Sequence, residues 1–154
     1  MFRKIRTTDN PPTEASMIWD GTCAFCEYWI NYWQNLSKDK FQFIAYQDLN
    51  SQFSDIDKSY FKEAVRFIEP DGRVYNGPDA AYRSLFQLGK FKWLHRSYQK
   101  NVLFRNLSDS LYQWIATNRG LCFRITKFLF GSDPHSLKPF WAIYLFVLLY
   151  LIFY

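Results

Sequence analysis

The chain has 154 residues and a formal net charge of +5; 49% of it is hydrophobic and 21% aromatic. That is enough apolar material for one domain with a real core, and it excludes disorder over most of the length. The three cysteines are an odd number, which excludes a disulfide-stapled secreted scaffold.

Met1 to Ser16 carries Arg3, Lys4, Arg6, Asp9, Asn10, Pro11, Pro12 and Glu14, without the apolar stretch of a secretory signal. It reads as a flexible leader, and a reducing, cytosolic setting is the simpler inference for the body. Met17-Ile18-Trp19 reads as a short strand ended by the turn signal Asp20-Gly21. Cys23 and Cys26 then open a helix, Ala24 to Leu36, in which Phe25, Trp29, Tyr32, Trp33 and Leu36 recur at helical spacing and are most simply core. Cysteines three residues apart at a helix start lie close enough for a disulfide, and the free N–H groups there lower the pKa of an exposed thiol. A strand followed by Cys-x-x-Cys at a helix start is the layout of a thioredoxin-like redox site.

Phe41 to Tyr46 alternates like a buried strand, so a parallel β-α-β crossover is expected. Leu49, Phe53 and Ile56 are spaced like a short helix. Ala64 to Ile68 and Arg73 to Tyr75 flank Glu69-Pro70-Asp71-Gly72, a hairpin signal. Pro78 or Asp79 starts a helix through Ala81, Leu85 and Leu88, with Gly89 as its stop. The order β-α-β-α-β-β-α is that of a thioredoxin-like domain, a mixed sheet with helices on both faces. We therefore divide the chain into a leader (1–16), a redox core (17–89), a helical extension (90–131) and an apolar segment (138–154).

Charge is unevenly placed. Met1 to Gly89 has 10 Lys+Arg against 12 Asp+Glu, and Lys90 to Tyr154 has 9 against 2. In the helical extension Arg119, Arg124 and Lys127 either lie against phospholipid headgroups or form a solvated basic face. Phe140 to Tyr154 has no charge and no helix breaker. At ~1.5 Å per residue it reaches about 22 Å, short of a ~30 Å hydrocarbon core. Uniform apolarity still argues for a membrane anchor or transmembrane helix over a buried helix. Lys127 and Lys138 before it put the body on the cytoplasmic side. Membrane contact explains the basic excess better than nucleic acid, for which no motif is present.

The chain resembles the DCC family of thiol-disulfide oxidoreductases, named for Asp-x-x-Cys-x-x-Cys, here Asp20, Cys23 and Cys26 within Trp19-Asp20-Gly21-Thr22-Cys23-Ala24-Phe25-Cys26. Asp71-Gly72-Arg73-Val74-Tyr75-Asn76-Gly77-Pro78-Asp79-Ala80-Ala81 is similar to the family's glycine-rich hairpin and following helix, and Tyr112 to Arg119 to its later Tyr and Asn-Arg positions. The resemblance covers about Met17 to Gly131. It implies a thioredoxin-like fold, and similar domains occur joined to membrane-spanning segments. One departure concerns the cis-proline that precedes the third strand in thioredoxins: no proline precedes Ala64-Val65 here.

In the redox reading Cys23 is the nucleophile, Cys26 resolves the mixed disulfide, and Phe25 between them tunes the potential. Asp20 is the candidate proton acceptor for Cys26, with a pKa raised by partial burial; its alternative role is turn former or N-cap. No bound cofactor and no metal are expected, because only Cys122, His95 and His135 remain to complete a zinc site. Cys122 reads as a buried small residue and His95 as a satisfied histidine. The expected partners are a protein or small-molecule disulfide, an electron donor and, through Phe140 to Tyr154, a membrane. The competing reading is a non-enzymatic binding or assembly module beside a membrane protein.

Overall fold

The computed structural model describes residues 1–138 and 140–153. Four short strands form one mixed sheet in the order β2-β1-β3-β4. β1 (Ser16–Trp19) lies parallel to β2 (Gln42–Ala45) and antiparallel to β3 (Arg66–Ile68), which pairs antiparallel with β4 (Val74–Asn76). The expected β-α-β crossover is made by α1 (Ala24–Ser37). The expected hairpin closes at Gly72, whose φ of +81° a side chain would strain, and a Cβ there would meet the Thr8 carbonyl at 2.8 Å. After β4, α3 (Pro78–Gln87) starts with proline in its first turn, as the sequence signals.

Alternation along the strands feeds two cores. Met17 and Phe67 point to one face, where Ile30 and Trp33 of α1 and Ala80 of α3 cover them. Ile18, Ile68 and Val74 point to the other, against Leu49, Phe53, Ile56 and Phe61. Leu49, Phe53 and Ile56 are thus buried as expected, but not on a helix. That stretch is a 3₁₀ turn (Tyr46–Asp48) followed by irregular backbone in which Phe53 has φ +55°. The helix comes later, as α2 (Lys58–Glu63), capped by Asp57 accepting from the Ser59 N–H. Periodicity there reported burial of loop side chains, not helical winding.

The single helical extension resolves into three helices: α4 (Lys92–Lys100), α5 (Val102–Thr117) and α6 (Arg119–Phe130). α6 lies on α1, where Tyr28 meets Phe123 and Trp29 meets Phe130 edge-on, and the Tyr28 hydroxyl donates to the Gly131 carbonyl at 3.0 Å. Phe25, Trp29, Tyr32 and Trp33, expected in the core, are half-buried, with Trp33 packed against the sheet core; Tyr28 and Ile30 are the helix's buried apolar residues.

Two further expectations are corrected. The first sixteen residues are not a loose leader. Phe2 is buried and meets Tyr112 edge-on. The Val74 N–H donates to the Arg6 carbonyl and the Thr8 N–H to the Gly72 carbonyl, both at 2.9 Å. Asn76 holds Ile5 through both its backbone groups, and fully buried Arg66, its pKa lowered by burial to about 10, donates to the Arg3 carbonyl. The segment is a strap along the outer edge of β4. The apolar tail does form a helix, α7 (Phe140–Phe153), and Tyr154 lies outside the described residues. Among the described residues no helix is long and apolar enough to cross a membrane, so the expected transmembrane helix is not supported. α7 is also not the buried helix of the alternative reading: Phe146 is 73% and Leu151 70% exposed.

Candidate redox site

The site begins where β1 ends. Asp20 is buried, and its carboxylate is the hub of the turn. Its Oδ1 accepts from the Thr22 N–H (3.2 Å), the Thr22 hydroxyl (2.9 Å) and the Gln47 amide (3.1 Å), while Oδ2 accepts from Arg119 at 2.8 Å. Gln47 closes the turn from its other end, accepting the Gly21 N–H at 3.0 Å. Gly21 is required by this close approach, since a Cβ there would meet the Ala45 Cβ at 2.8 Å and the Gln47 oxygen at 3.0 Å. Arg119 spans from Asp20 to the Lys62 carbonyl (3.1 Å), tying the start of α6 to the site and to the end of α2.

The turn delivers Cys23 to the mouth of α1. The Cys23 N–H donates to the Asp20 carbonyl at 3.1 Å, and Cys23 is the N-cap residue, its Sγ accepting from the Cys26 N–H at 3.2 Å. Cys23 and Cys26 form a disulfide with Cα atoms 5.2 Å apart, both cysteines being partly buried. When the bond is reduced, the same N–H and the helix dipole stabilise a thiolate on Cys23.

Asp20 departs from the sequence expectation. Burial alone would raise its pKa, but the hydrogen bonds from Thr22 and Gln47 and the contact with Arg119 outweigh burial and hold it below the ordinary 3.8. It is a turn former, as the alternative had it, while the N-cap position belongs to Cys23. Arg119, expected to face headgroups or solvent, is half-buried and points inward at Asp20.

Tyr112 reaches the neighbouring loop. Its hydroxyl accepts the Val65 N–H at 3.0 Å just before β3, and the described residues contain no cis peptide bond. The Val65 carbonyl accepts from the Gly77 N–H at 2.9 Å. Where thioredoxins place a cis-proline, this chain has a residue whose backbone is bonded internally on both sides. Among the other candidates, Cys122 is a free, buried thiol, and His95 is buried with Nδ1 2.9 Å from the Asp79 carboxylate. His135 lies outside the turn, its carbonyl accepting from Asn35.

A disulfide at the mouth of a helix, fed by the end of a strand and with a fixed carboxylate in the turn before it, is an arrangement suited to thiol–disulfide chemistry. The chain belongs to the DCC1-like thiol-disulfide oxidoreductase family, whose model matches residues 17–125 and so takes in Asp20, both cysteines, the hairpin, Tyr112 and Arg119. No curated protein and no solved structure matches it. Membership supports a general thiol–disulfide redox role. Sequence reasoning missed Gln47 and the inward roles of Tyr112 and Arg119, although the last two fall in the third stretch of family similarity.

Proposed function

We propose that the protein exchanges the Cys23–Cys26 pair with disulfides of protein or small-molecule substrates on a thioredoxin-like topology. The observation that carries this is the Cys23–Cys26 disulfide, with Cys23 Sγ serving as the N-cap of α1. In the reduced protein the Cys23 thiolate attacks one sulfur of a substrate disulfide. A Cys23–substrate bond forms, the substrate S–S bond breaks, and the departing thiolate takes a proton. Cys26 then gives up its proton and attacks Cys23 Sγ, releasing the second substrate thiol. Two electrons have passed to the substrate, and the protein is left with the Cys23–Cys26 bond. A dithiol electron donor restores the reduced pair by the same steps reversed.

In this reading Asp20 is a positioning residue. A carboxylate held ionised by Thr22, Gln47 and Arg119 is poorly suited to collect the Cys26 proton, which solvent accepts instead. α7 supplies membrane contact, and the anionic cytoplasmic leaflet is the bilayer surface complementary to the exposed Arg124, Lys127 and Lys138 before it.

The test is single-turnover exchange with a disulfide peptide. Cys23→Ser should abolish exchange, and Cys26→Ser should stop at a mixed disulfide on Cys23 visible by mass spectrometry. If both variants exchange at the parental rate, the reading fails, and the domain is a binding module instead.

A further inference from the structure

The helical extension presents its apolar side chains outward as well as inward. On α5 the inward face is Ser108, Asp109 and Tyr112, with Asp109 bonded by Lys4 and Tyr98. The opposite face carries Leu103, Leu107, Leu111 and Trp114, spaced by four, four and three residues and between 50 and 77% exposed. Such spacing makes one continuous stripe along a helix. α6 repeats the arrangement: Cys122 and Thr126 face inward, while Ile125 and Phe128 are 43 and 59% exposed on the far side. Only Asn118 separates the two helices. The second stripe continues into α7, because the Phe128 and Tyr144 rings stack with centroids 4.4 Å apart.

Charge identifies the occupant. From Lys90 onward the described residues include seven exposed Lys or Arg side chains, whereas of the two acids Asp109 is buried against Lys4 and only Asp133 is exposed. Apolar stripes in a setting with almost no exposed acid suit a surface that is apolar within and negative at its boundary.

We propose that the outer stripes of α5 and α6 form, with α7, a face that beds into the headgroup–acyl boundary of an anionic phospholipid bilayer. This rests on the membrane contact assigned above to α7, but adds the body of the protein to it. It also fixes the orientation of the redox pair, because α1 lies on the inner side of α6 and Arg119 ties α6 to Asp20.

Co-sedimentation with vesicles of equal parts phosphatidylcholine and phosphatidylserine tests the face. The variants are the triple Leu103→Ser, Leu107→Ser, Leu111→Ser and a chain truncated before Phe140. The triple variant, with α7 intact, should lose about tenfold in partitioning, and the truncated chain should retain measurable binding to these vesicles. Parental partitioning by the triple variant overturns the face while leaving the α7 contact standing. Failure of the intact chain to bind overturns both. Equal binding to pure phosphatidylcholine, or a concentration-dependent dimer that the triple substitution dissolves, overturns the lipid assignment. A nitroxide on L111C gives a readout independent of affinity. It should be shielded from a water-soluble quencher on binding, and full accessibility in the bound state would overturn the proposal. Cys23→Ser, run in parallel, should bind as the parent, so failure of the exchange chemistry does not touch this result.

Discussion

Asp20 and Arg119 carry opposite charges in the turn before the cysteines, and the two substitutions that remove them should act in opposite directions. Arg119→Ala leaves an uncompensated carboxylate three residues before Cys23, which disfavours the thiolate. The Cys23 thiol pKa should rise and the pair become more reducing, by a few-fold to about tenfold in the equilibrium with glutathione. Asp20→Asn should shift both quantities the other way. Thiolate absorbance against pH and a glutathione titration measure them; shifts of the same sign would mean that both changes merely loosen the turn. Asp20 also leaves a mark on stability. Its folded pKa lies below the ordinary 3.8, so its contribution is fully present above that value and is lost as pH falls through the lower, folded value. Urea midpoints of Asp20→Asn should therefore lie below the parent's at neutral pH and converge with them under acid. The cysteines and Asp20 were legible at this scale because they lie within seven residues of one another. Arg119 was not, since its partner is 99 positions away and a basic residue on a helix carries no sign of which way it points.

At the scale of elements, the loop before β3 depends on α5. Tyr112→Phe removes the acceptor of the Val65 N–H and leaves a donor without its partner inside the structure, which should cost about 1–3 kcal/mol. Denaturant unfolding reads this directly; an unchanged midpoint would mean that water replaces the hydroxyl. The strands and α3 were readable in advance because alternation, Pro-Asp-Gly and an initial proline are local signals. The stretch from Leu49 to Ile56 was not, because burial at spacings of three and four arises equally from a helix and from a loop folded over a sheet. Lys90 to Gly131 read as one helical stretch, yet Asn101 and Asn118 each end one helix and begin the next. Neither is a strong breaker in a sequence already rich in helix formers.

For the whole molecule, the strap decides whether the sheet has an open side. β4 is an outer strand, and residues 2–8 cover its free edge with two main-chain hydrogen bonds, the Asn76 clasp on Ile5 and the buried Phe2 ring. Deleting residues 2–8 should lower the unfolding midpoint and produce concentration-dependent self-association in gel filtration, because a bare edge strand recruits another chain. A monomer of parental stability would show the strap to be dispensable. The arrangement also sets a clock on biosynthesis. The strap is synthesised before β4, yet the groups that bond its backbone along that edge, Arg66, Gly72, Val74 and Asn76, come only with the hairpin. Until that hairpin is made the strap has no edge to lie on, and Phe2 waits longer still, for Tyr112 of α5; closing so long a loop comes late in folding. The nascent protein thus passes through an interval in which its redox helix already exists while its sheet edge is still bare.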